Sequence, residues 1–476
     1  MREDGAFQHH PFSQIENCCN VVVVKCLLPS KHFFSNMFKV VGVILMKKKL
    51  MSILIGVTVI AGVCGCAVQN TAVNNEENSK QEQQTMLETE QTVETEETEI
   101  ITEVSTVNEE ENTKAEEVEV VIDRSATFKL LEDMRIGWNL GNTLDAHISG
   151  QVATVSSETC WGNPITTPEM IQAIAEQGFK TIRVPVTWSL HMTEKPEYKI
   201  DEVWLDRVEE IVNYALDADL YVILDTHHEP DYWLKPQSEG LEDVKNQLTA
   251  IWKQVGERFR DYDERLVFEG MNEPRMKGSE KEWSGGDADG RAAVNVLNQA
   301  FVETVRATGG NNETRCLIIC PYGNSVTYNS IIELEIPQDN NIMVAVHLYT
   351  PYYFTYEQDQ NNICEWDGSL KKDIISAMSL VDKYLIKKDV PVIITEFGAV
   401  NKEYTDENGN KVSNREEVLK WLSDYMEVAN KYGISCVWWD NGIYDTSGEK
   451  FSIFDRNNLS WYAKDVADAL IMHTEE

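Results

Sequence analysis

Basic residues are scarce in this chain of 476 residues, which has 42 Lys and Arg against 79 Asp and Glu and a formal net charge of −37. Nucleic-acid binding needs clusters of basic side chains that displace counterions from phosphate, and attachment to anionic lipid needs a polybasic segment. The charge balance therefore argues against both classes of partner. An uncharged or cationic partner is expected instead.

Two motifs of common chemistries are absent from residue 124 onward. There is no Cys-x-x-Cys pair, and no glycine fingerprint after the first predicted strand, which argues against a dinucleotide site. Cys316 and Cys320 lie too far apart on one extended strand to form a disulfide. They are expected, like Cys436, to be buried thiols. The sequence does not decide whether Cys160 and Cys364 form a disulfide.

The N-terminal part contains a predicted export signal over residues 46–66. Met46 to Lys49 is basic, and the 14-residue apolar run from Leu50 to Val63 is too short to span a bilayer comfortably. The run ends in Val63-Cys64-Gly65-Cys66, which resembles the lipobox of bacterial lipoproteins. Cys66 is then the expected lipidation site, with simple cleavage or an uncleaved anchor as alternatives. Since an export signal must stand at the N-terminus, residues 1–45 are interpreted as an over-extended reading frame.

A second N-terminal segment, residues 67–123, is strongly acidic. Residues 71–120 hold 16 Glu and 2 Lys, interspersed with Thr, Asn, Gln and Val and without aromatic residues. Like charges repel, and such a composition cannot bury a core, so the segment is predicted to be a disordered linker. A charged helix is the weaker alternative because Thr and Val recur throughout.

Beyond residue 124, short β-branched runs alternate with amphipathic segments of helical period. The eight predicted strands are Arg135–Asn142, Lys180–Trp188, Tyr221–His228, Leu266–Pro274, Cys316–Pro321, Asn341–Pro351, Pro391–Gly398 and Ile434–Gly442. Strand-to-helix connections such as 143–165, 275–290, 352–369 and 443–460 are long, whereas helix-to-strand links are short. The pattern predicts an α/β fold, a (β/α)8 TIM barrel over residues 124–476, with its site at the carboxyl ends of the strands.

Polar and aromatic residues occupy those predicted strand ends. They are Arg183, His227, His228, Asn272, Glu273, His347, Tyr349, Glu396 and Trp439. Glu273 on the fourth strand and Glu396 on the seventh would face each other across the barrel. One carboxyl can protonate a glycosidic oxygen while the other attacks the anomeric carbon, provided that neighbours drive their pKa values apart. The sequence therefore predicts cleavage of a glycosidic bond.

The His227-His228 pair also fits a metal site or a buried core pair. A metallohydrolase barrel would usually carry His-x-His on its first strand, where this chain has Trp138 and Asn139 instead. No metal and no cofactor are therefore expected.

These motifs together resemble glycoside hydrolase family 5, the cellulase family, over about residues 124–474. The resemblance rests on Asn272-Glu273-Pro274 and Thr395-Glu396-Phe397-Gly398, with Arg183, His227, His347, Tyr349 and Trp439 in the family's order. Gly137 to Asp145, Trp161 to Pro164 and Trp438 to Gly442 further resemble the bacterial endoglucanases and xyloglucanases of that family.

The resemblance implies a role for each residue. Glu273 would be the acid/base and Glu396 the nucleophile, with Arg183 beside the nucleophile and Asn272 on the sugar 2-hydroxyl. The remaining implied substrate contacts are His227, His347, Tyr349 and Trp439, together with His228, Asn142 and Trp161.

The sequence as a whole is interpreted as a retaining endo-β-1,4-glucanase. The expected partner is a β-glucan polysaccharide, and the enzyme is expected to be an extracellular, cell-surface lipoprotein of a bacterium and a monomer. Xyloglucanase, mixed-linkage glucanase and mannanase are alternatives with the same machinery. A non-catalytic glycan-binding surface protein is a more remote one, because a binding protein needs no paired acid and nucleophile.

Overall fold

The computed structural model describes residues 121–148, 154–358, 362–406, 408–445 and 448–473. The predictions for residues 1–45, for the signal at 46–66 with Cys66, and for most of the linker at 67–123 lie outside the described residues. They stay predictions.

Eight parallel strands form a closed barrel in which each strand pairs with its neighbours in the chain and β8 closes onto β1. The strands are β1 Ile136–Asn139, β2 Thr181–Val184, β3 Tyr221–Asp225, β4 Leu266–Glu269, β5 Leu317–Ile319, β6 Ile342–His347, β7 Val392–Phe397 and β8 Ser435–Trp438. Nearly all of their residues are buried, as expected for a parallel sheet covered by helices. The predicted (β/α)8 barrel is confirmed.

The barrel is surrounded by long helices. They are α1 Ser125–Met134, α2 Pro168–Gln177, α3 Glu202–Asp217, α4 Leu241–Arg258, α5 Ala288–Ala307, α6 Lys371–Tyr384, α7 Arg415–Tyr432 and α8 Lys464–Met472. α1 precedes the first strand, and the interval between β5 and β6 holds a 3-10 turn, Tyr322–Asn324, and the short α-helix Tyr328–Ile332. None of the helices in the described ranges combines the length and apolar composition that a bilayer crossing requires.

The ends of α2 illustrate why helices start and stop where they do. The Thr167 side chain accepts a hydrogen bond from the Met170 backbone N–H, and Pro168 takes the first helical position, where no N–H is needed. Gly178 ends the helix at φ 113°, a conformation that favours glycine. The chain then enters β2 after two further residues, so the loops at this end of the barrel are short.

Long connections gather at the other end, beyond the carboxyl ends of the strands. One of them carries a small antiparallel hairpin, Glu403–Thr405 with Lys411–Ser413, between β7 and α7. The strand register stacks polar residues beneath these loops, because Asn139 pairs with Arg183, and Asp225 with Glu269. The apolar barrel thus ends in a layer of charged and amide side chains.

The five cysteines of the described residues are all free thiols. Cys316, Cys320 and Cys436 are buried, as the sequence predicts. The pair left open, Cys160 with Cys364, forms no disulfide.

Candidate active site

Glu273 and Glu396 approach each other above the carboxyl ends of β4 and β7. A carboxylate oxygen of each, together with a ring nitrogen of His347, forms a group whose members all lie within 4.8 Å of one another. Retaining glycosidases have their two carboxyl groups about 5 to 5.5 Å apart, whereas inverting enzymes need about 6.5 to 9.5 Å to admit a water. The separation fits direct attack by one carboxylate rather than attack by water held between them.

Glu396 is held by two donors, one on β2 across the barrel and one just beyond the end of β6. Arg183 Nη1 lies 2.7 Å from its Oε1, and the Tyr349 hydroxyl donates to its Oε2 at 3.1 Å. The His347 Nδ1 atom lies 3.5 Å from the same Oε2. Glu396 is 6% exposed. These bonds fix its orientation, and one edge of the carboxylate still faces the cup, the space above the carboxyl ends of the strands.

Arg183 is completely buried and forms ion pairs with three carboxylates. Its guanidinium lies 2.7 Å from Asp225, 2.6 Å from Glu269 and 2.7 Å from Glu396. Burial disfavours the guanidinium charge, but these three carboxylates outweigh it and raise the pKa of Arg183 well above its usual value. A permanent cation therefore stands under the predicted nucleophile.

Arg183 also orients Asn272, the residue before the predicted acid/base. Nη2 of Arg183 donates to Asn272 Oδ1 at 2.8 Å. Since the carbonyl oxygen of the amide is used in this bond, the NH2 group is the one that Asn272 can offer to a sugar hydroxyl.

Glu273 has a different environment from Glu396. Its Oε1 lies 3.0 Å from His347 Nδ1, and its Oε2 lies 3.1 Å from Arg275 Nη1. Burial works against the charged carboxylate, but the hydrogen bond and charge of His347 and the charges of Arg275 and His227 outweigh it and lower the pKa of Glu273 to about 2. The substrate-free site thus favours the ionised form of this carboxyl.

The backbone at Glu273 is unusual because φ is +45°, in the left-handed region that side chains rarely adopt. The Asn324 side chain stabilises it by accepting from the Glu273 N–H at 2.8 Å, and its own Nδ2 donates to Ala345 O at 3.3 Å. Strained backbone of this kind is concentrated at functional sites, where it aims a side chain. Here it turns Glu273 toward His347.

His227 links the centre of the site to its aromatic floor. Its Nδ1 lies 2.9 Å from Asp225 Oδ2, and its ring stacks on Trp439 with centroids 5.6 Å apart and planes 5° apart. Burial disfavours a charged ring, but Asp225 outweighs it and raises the pKa of His227 to about 9. His227 is therefore a cation at neutral pH.

Trp439 lies flat in the cup because nothing larger than glycine fits beneath it. A Cβ on Gly141 would lie 2.7 Å from Trp439 Cη2 and 2.9 Å from the Asp440 carbonyl oxygen. The preceding residue, Trp438, is 1% exposed and packs edge-on against Phe397 instead. Alternation of side chains at the carboxyl end of β8 thus turns Trp439 rather than Trp438 toward the catalytic side of the barrel. Contact of Trp439 with a sugar stays a prediction.

His228, Trp161 and Asn142 lie along the rim beyond β1 and β3. His228 Nε2 lies 3.4 Å from Asp145 Oδ2, and its ring is 5.4 Å from that of Trp161. Trp161 is 37% exposed and donates from Nε1 to the His147 carbonyl oxygen at 2.8 Å. Asn142 forms a turn with φ +56° and donates its backbone N–H to Asp145. Trp161 thus offers an open indole face next to the floor, while Asn142 shapes the loop.

Two groups of side chains have the composition of a metal site. One is Asp145, His227 and His228, and the other is Glu273, His347 and Glu396, each with ligand atoms within 4.8 Å of one another. The atoms of both groups already have protein partners. In the first group, Nδ1 of His227 is paired with Asp225. Both carboxylates of the second group face an arginine. The arrangement is explained by ion pairs and hydrogen bonds, and the mechanism proposed for the site uses no metal.

Comparison with known proteins agrees with this geometry. Residues 146–445 match the family model described as cellulase, glycosyl hydrolase family 5. Endoglucanase A of Ruminococcus albus is 48% identical over 348 residues, which cover 73% of this chain and 92% of that protein. The chain belongs to glycoside hydrolase family 5. It is therefore a glycoside hydrolase.

Solved structures of family 5 members superpose on the barrel. One is a xyloglucan-specific endo-β-1,4-glucanase from a metagenomic library, in complex with cellotriose; it is 48% identical, with a TM-score of 0.69 and coverage of 74% of this chain and 100% of that one. Another is a broad-specificity endoglucanase from Ruminococcus champanellensis with bound cellotriose. It is 41% identical, with a TM-score of 0.67 and coverage of 72% and 97%.

Several residues of this family 5 site were not singled out from the sequence. Asp225 and Glu269, which hold Arg183, have a visible signal, because each is a carboxylate inside an otherwise apolar strand. Arg275 contacts Glu273, and Trp283 lies 62% exposed beside Arg275. Neither position carries a signal in the local pattern, since both lie in a long loop.

Proposed function

We propose that the protein is a retaining endo-β-1,4-glucanase that cleaves internal bonds of a β-glucan, with Glu396 as nucleophile and Glu273 as acid/base. The observation that carries the proposal is the approach of their carboxylates to within 4.8 Å in two unlike environments. Glu396 faces the fixed charge of Arg183 and a tyrosine hydroxyl, which suits an attacking carboxylate. Glu273 faces His347, a titratable side chain, which suits a group that gives and takes a proton.

In the first step, a carboxylate oxygen of Glu396 forms a bond to the anomeric carbon while the bond to the glycosidic oxygen breaks. The proton of Glu273 passes to that oxygen, so that the leaving chain departs as a neutral alcohol. Arg183, 2.7 Å from Oε1 of Glu396, stabilises the carboxylate before the attack and again when the ester bond breaks. The tyrosine hydroxyl on the other oxygen keeps the carboxylate aimed.

In the second step, water attacks the same carbon from the side that the leaving chain has vacated. Glu273, now ionised, takes a proton from the water, and the ester bond to Glu396 breaks. The anomeric carbon has been inverted twice, so its configuration is retained.

Around this centre the floor and walls offer matched contacts to a glucose unit. Trp439 presents an indole face to the apolar face of a pyranose, and Asn272 offers its NH2 to the 2-hydroxyl. Exposed tryptophans on both sides of the cup, Trp161 at 37% and Trp283 at 62%, favour a chain that runs across the site. This supports internal cleavage over removal of end sugars.

Xyloglucan is the second candidate substrate. The observation that favours it is the 48% identity to an enzyme described as xyloglucan-specific. Both polymers share the β-1,4-glucan backbone, so the chemistry is unchanged and only the loops of the cup would differ in fit.

We further infer that the enzyme acts outside the cell and is anchored through a lipid on Cys66. The support is the basic segment, apolar run and lipobox-like ending at residues 46–66. Expression in a bacterial host with radioactive palmitate tests this inference. The full chain should carry label and Cys66→Ala should not, while peptides from residues 5–40 should be missing from the native protein.

The enzymatic proposal is tested by reducing-sugar release from carboxymethylcellulose, tamarind xyloglucan, barley β-glucan and galactomannan in parallel. Activity on the glucans should vanish in Glu396→Ala and Glu273→Gln. Proton NMR of the first products should show the β-anomer before mutarotation. A first product in the α-form would contradict retention, and no release from any of the four polymers would favour a binding role.

A further inference from the structure

Arg275 contacts the predicted acid/base in two ways. It follows Glu273 by two residues, and its Nη1 donates to the Glu273 carbonyl oxygen at 3.1 Å. The same atom lies 3.1 Å from Glu273 Oε2. One nitrogen therefore ties the carboxylate to the backbone of its own residue, and the side chain loses rotational freedom.

The guanidinium is itself fixed by the loop after β4. Its Nε donates to Glu282 Oε1 at 3.0 Å, and Glu282 Oε2 accepts from the Gly278 N–H at 2.6 Å. The indole of Trp283 covers the guanidinium, with Cζ 4.2 Å from the ring centroid. The Arg275 side chain is 12% exposed, so its charge acts on Glu273 with little screening by water.

The two oxygens of Glu273 are divided between two cations. Oε1 faces His347 toward the centre of the site, and Oε2 faces Arg275 toward the rim. The titratable groups facing Glu273 from the other elements are His227, Cys320, His347, Tyr349, Tyr356 and Glu396. Arg275 and His347 are the two cationic side chains within hydrogen-bond distance of the Glu273 carboxylate oxygens, and Arg275 holds the rim-side one.

We propose that Arg275 is a positioning residue for the acid/base: it holds the rim-side oxygen of Glu273 and favours the ionised form that the second step uses. The inference rests on the proposed function, because it assigns Glu273 its two roles. The contacts of Arg275 are with Glu273, Glu282 and Trp283, so we infer that it acts through Glu273.

The chemistry of the second step explains why such a residue is useful. Water forms a bond to the anomeric carbon, the bond to Glu396 breaks, and the water proton goes to Glu273. Glu273 must stay ionised until this happens, after its proton has gone to the leaving oxygen in the first step. The nearby charge of Arg275, one of the causes that lower the pKa of Glu273, keeps the carboxyl ionised at moderately acidic pH.

The test uses the full chain and 2,4-dinitrophenyl β-cellobioside. Dinitrophenolate leaves without a proton, so the second step limits kcat and the acidic limb of the kcat profile reports the ionisation of Glu273. Arg275→Met removes the charge and keeps the apolar stem against Trp283. The acidic limb should move up by about one pH unit. At the midpoint of the Arg275→Met profile, kcat of the variant should be about half of its plateau value while the wild type stays near its plateau, and the two plateaus should be nearly equal.

Two further variants separate positioning from stability. Arg275→Lys keeps the charge and should retain the wild-type midpoint, whereas Arg260→Met, which removes an exposed arginine distant from the cup, controls for the change in net charge. A uniform loss of kcat at every pH in Arg275→Met, or an unchanged midpoint, would overturn the proposal. A wild-type enzyme without turnover of this substrate would instead contradict the proposed function.

Discussion

Arg183 Nη1 lies 2.7 Å from Glu396 Oε1 at the bottom of the cup, where the arginine side chain is wholly buried. The same guanidinium neutralises Asp225 and Glu269, which have no exposure to solvent. The Arg183 side chain therefore contributes both to the stability of the fold and to the activity of the site.

Arg183→Met should reduce both quantities. It leaves three buried carboxylates without their shared cation, which costs about 3 to 5 kcal/mol of the free energy of unfolding. Loss of a donor to the nucleophile should lower kcat/KM by about 10²- to 10³-fold. Urea denaturation and steady-state kinetics measure the two effects. Arg183→Lys should lie between, and wild-type stability in Arg183→Met would show that the cluster is not charged as described.

Asp225→Asn should change the pH dependence of stability. The folded pKa of His227 is raised from 6.5 to about 9, so the Asp225–His227 pair stabilises the fold fully below pH 6.5 and loses that effect as pH rises to about 9. The loss amounts to at most about 3 kcal/mol. The free energy of unfolding of the wild type, measured in urea from pH 6 to 9.5, should fall by that amount. A fall of the same size in Asp225→Asn would contradict the assignment.

Gly141→Ala should weaken substrate binding without breaking the barrel. The added methyl group would overlap the indole of Trp439, so the floor must move. KM for cellotetraose should rise several-fold, while the circular dichroism spectrum stays as in the wild type. Gly256→Ala on α4, where the nearest atom is Thr308 Cγ2 at 3.0 Å, is the control for a methyl added outside the cup. An unchanged KM in Gly141→Ala would contradict the prediction that Trp439 forms the floor of the substrate site.

Thiol labelling should distinguish the cysteines of the barrel. Cys160 is partly exposed and should react with Ellman's reagent in the native protein. Cys316 and Cys436 are fully enclosed, and burial raises the pKa of Cys316 to about 12, so both should react only after unfolding. Peptide mapping by mass spectrometry identifies the labelled residue. Rapid native labelling of Cys436 would mean that β8 opens readily.

The sequence predicts much of this fold because the relevant signals are local. Short, mostly apolar runs of three to six residues form the strands, and Thr167-Pro168 with Gly178 marks both ends of α2. The interval between β5 and β6 has no long helical period, and the structure has only a 3-10 turn and a five-residue helix there. Local pattern and structure agree where secondary structure is decided by neighbours in the chain.

The charge relationships of the site could not be predicted in the same way. Which carboxylates share Arg183 depends on strand register, and the pairing of Arg275 with Glu273 depends on how a long loop folds back. The direction of the Glu273 pKa in the free enzyme follows from those contacts. Sequence patterns show which residue types meet at a strand end, but not which atoms then pair.

The most direct test of the central claim is covalent trapping with 2-deoxy-2-fluoro-β-cellobiosyl fluoride, followed by peptide mass spectrometry. The fluorine at the 2-position slows both steps, whereas the good fluoride leaving group speeds only the first, so the glycosyl-enzyme accumulates. The label should lie on Glu396 and should form in Glu273→Gln but not in Glu396→Ala. A label on another residue, or full activity without any covalent intermediate, would contradict the assignment of Glu396 as the nucleophile.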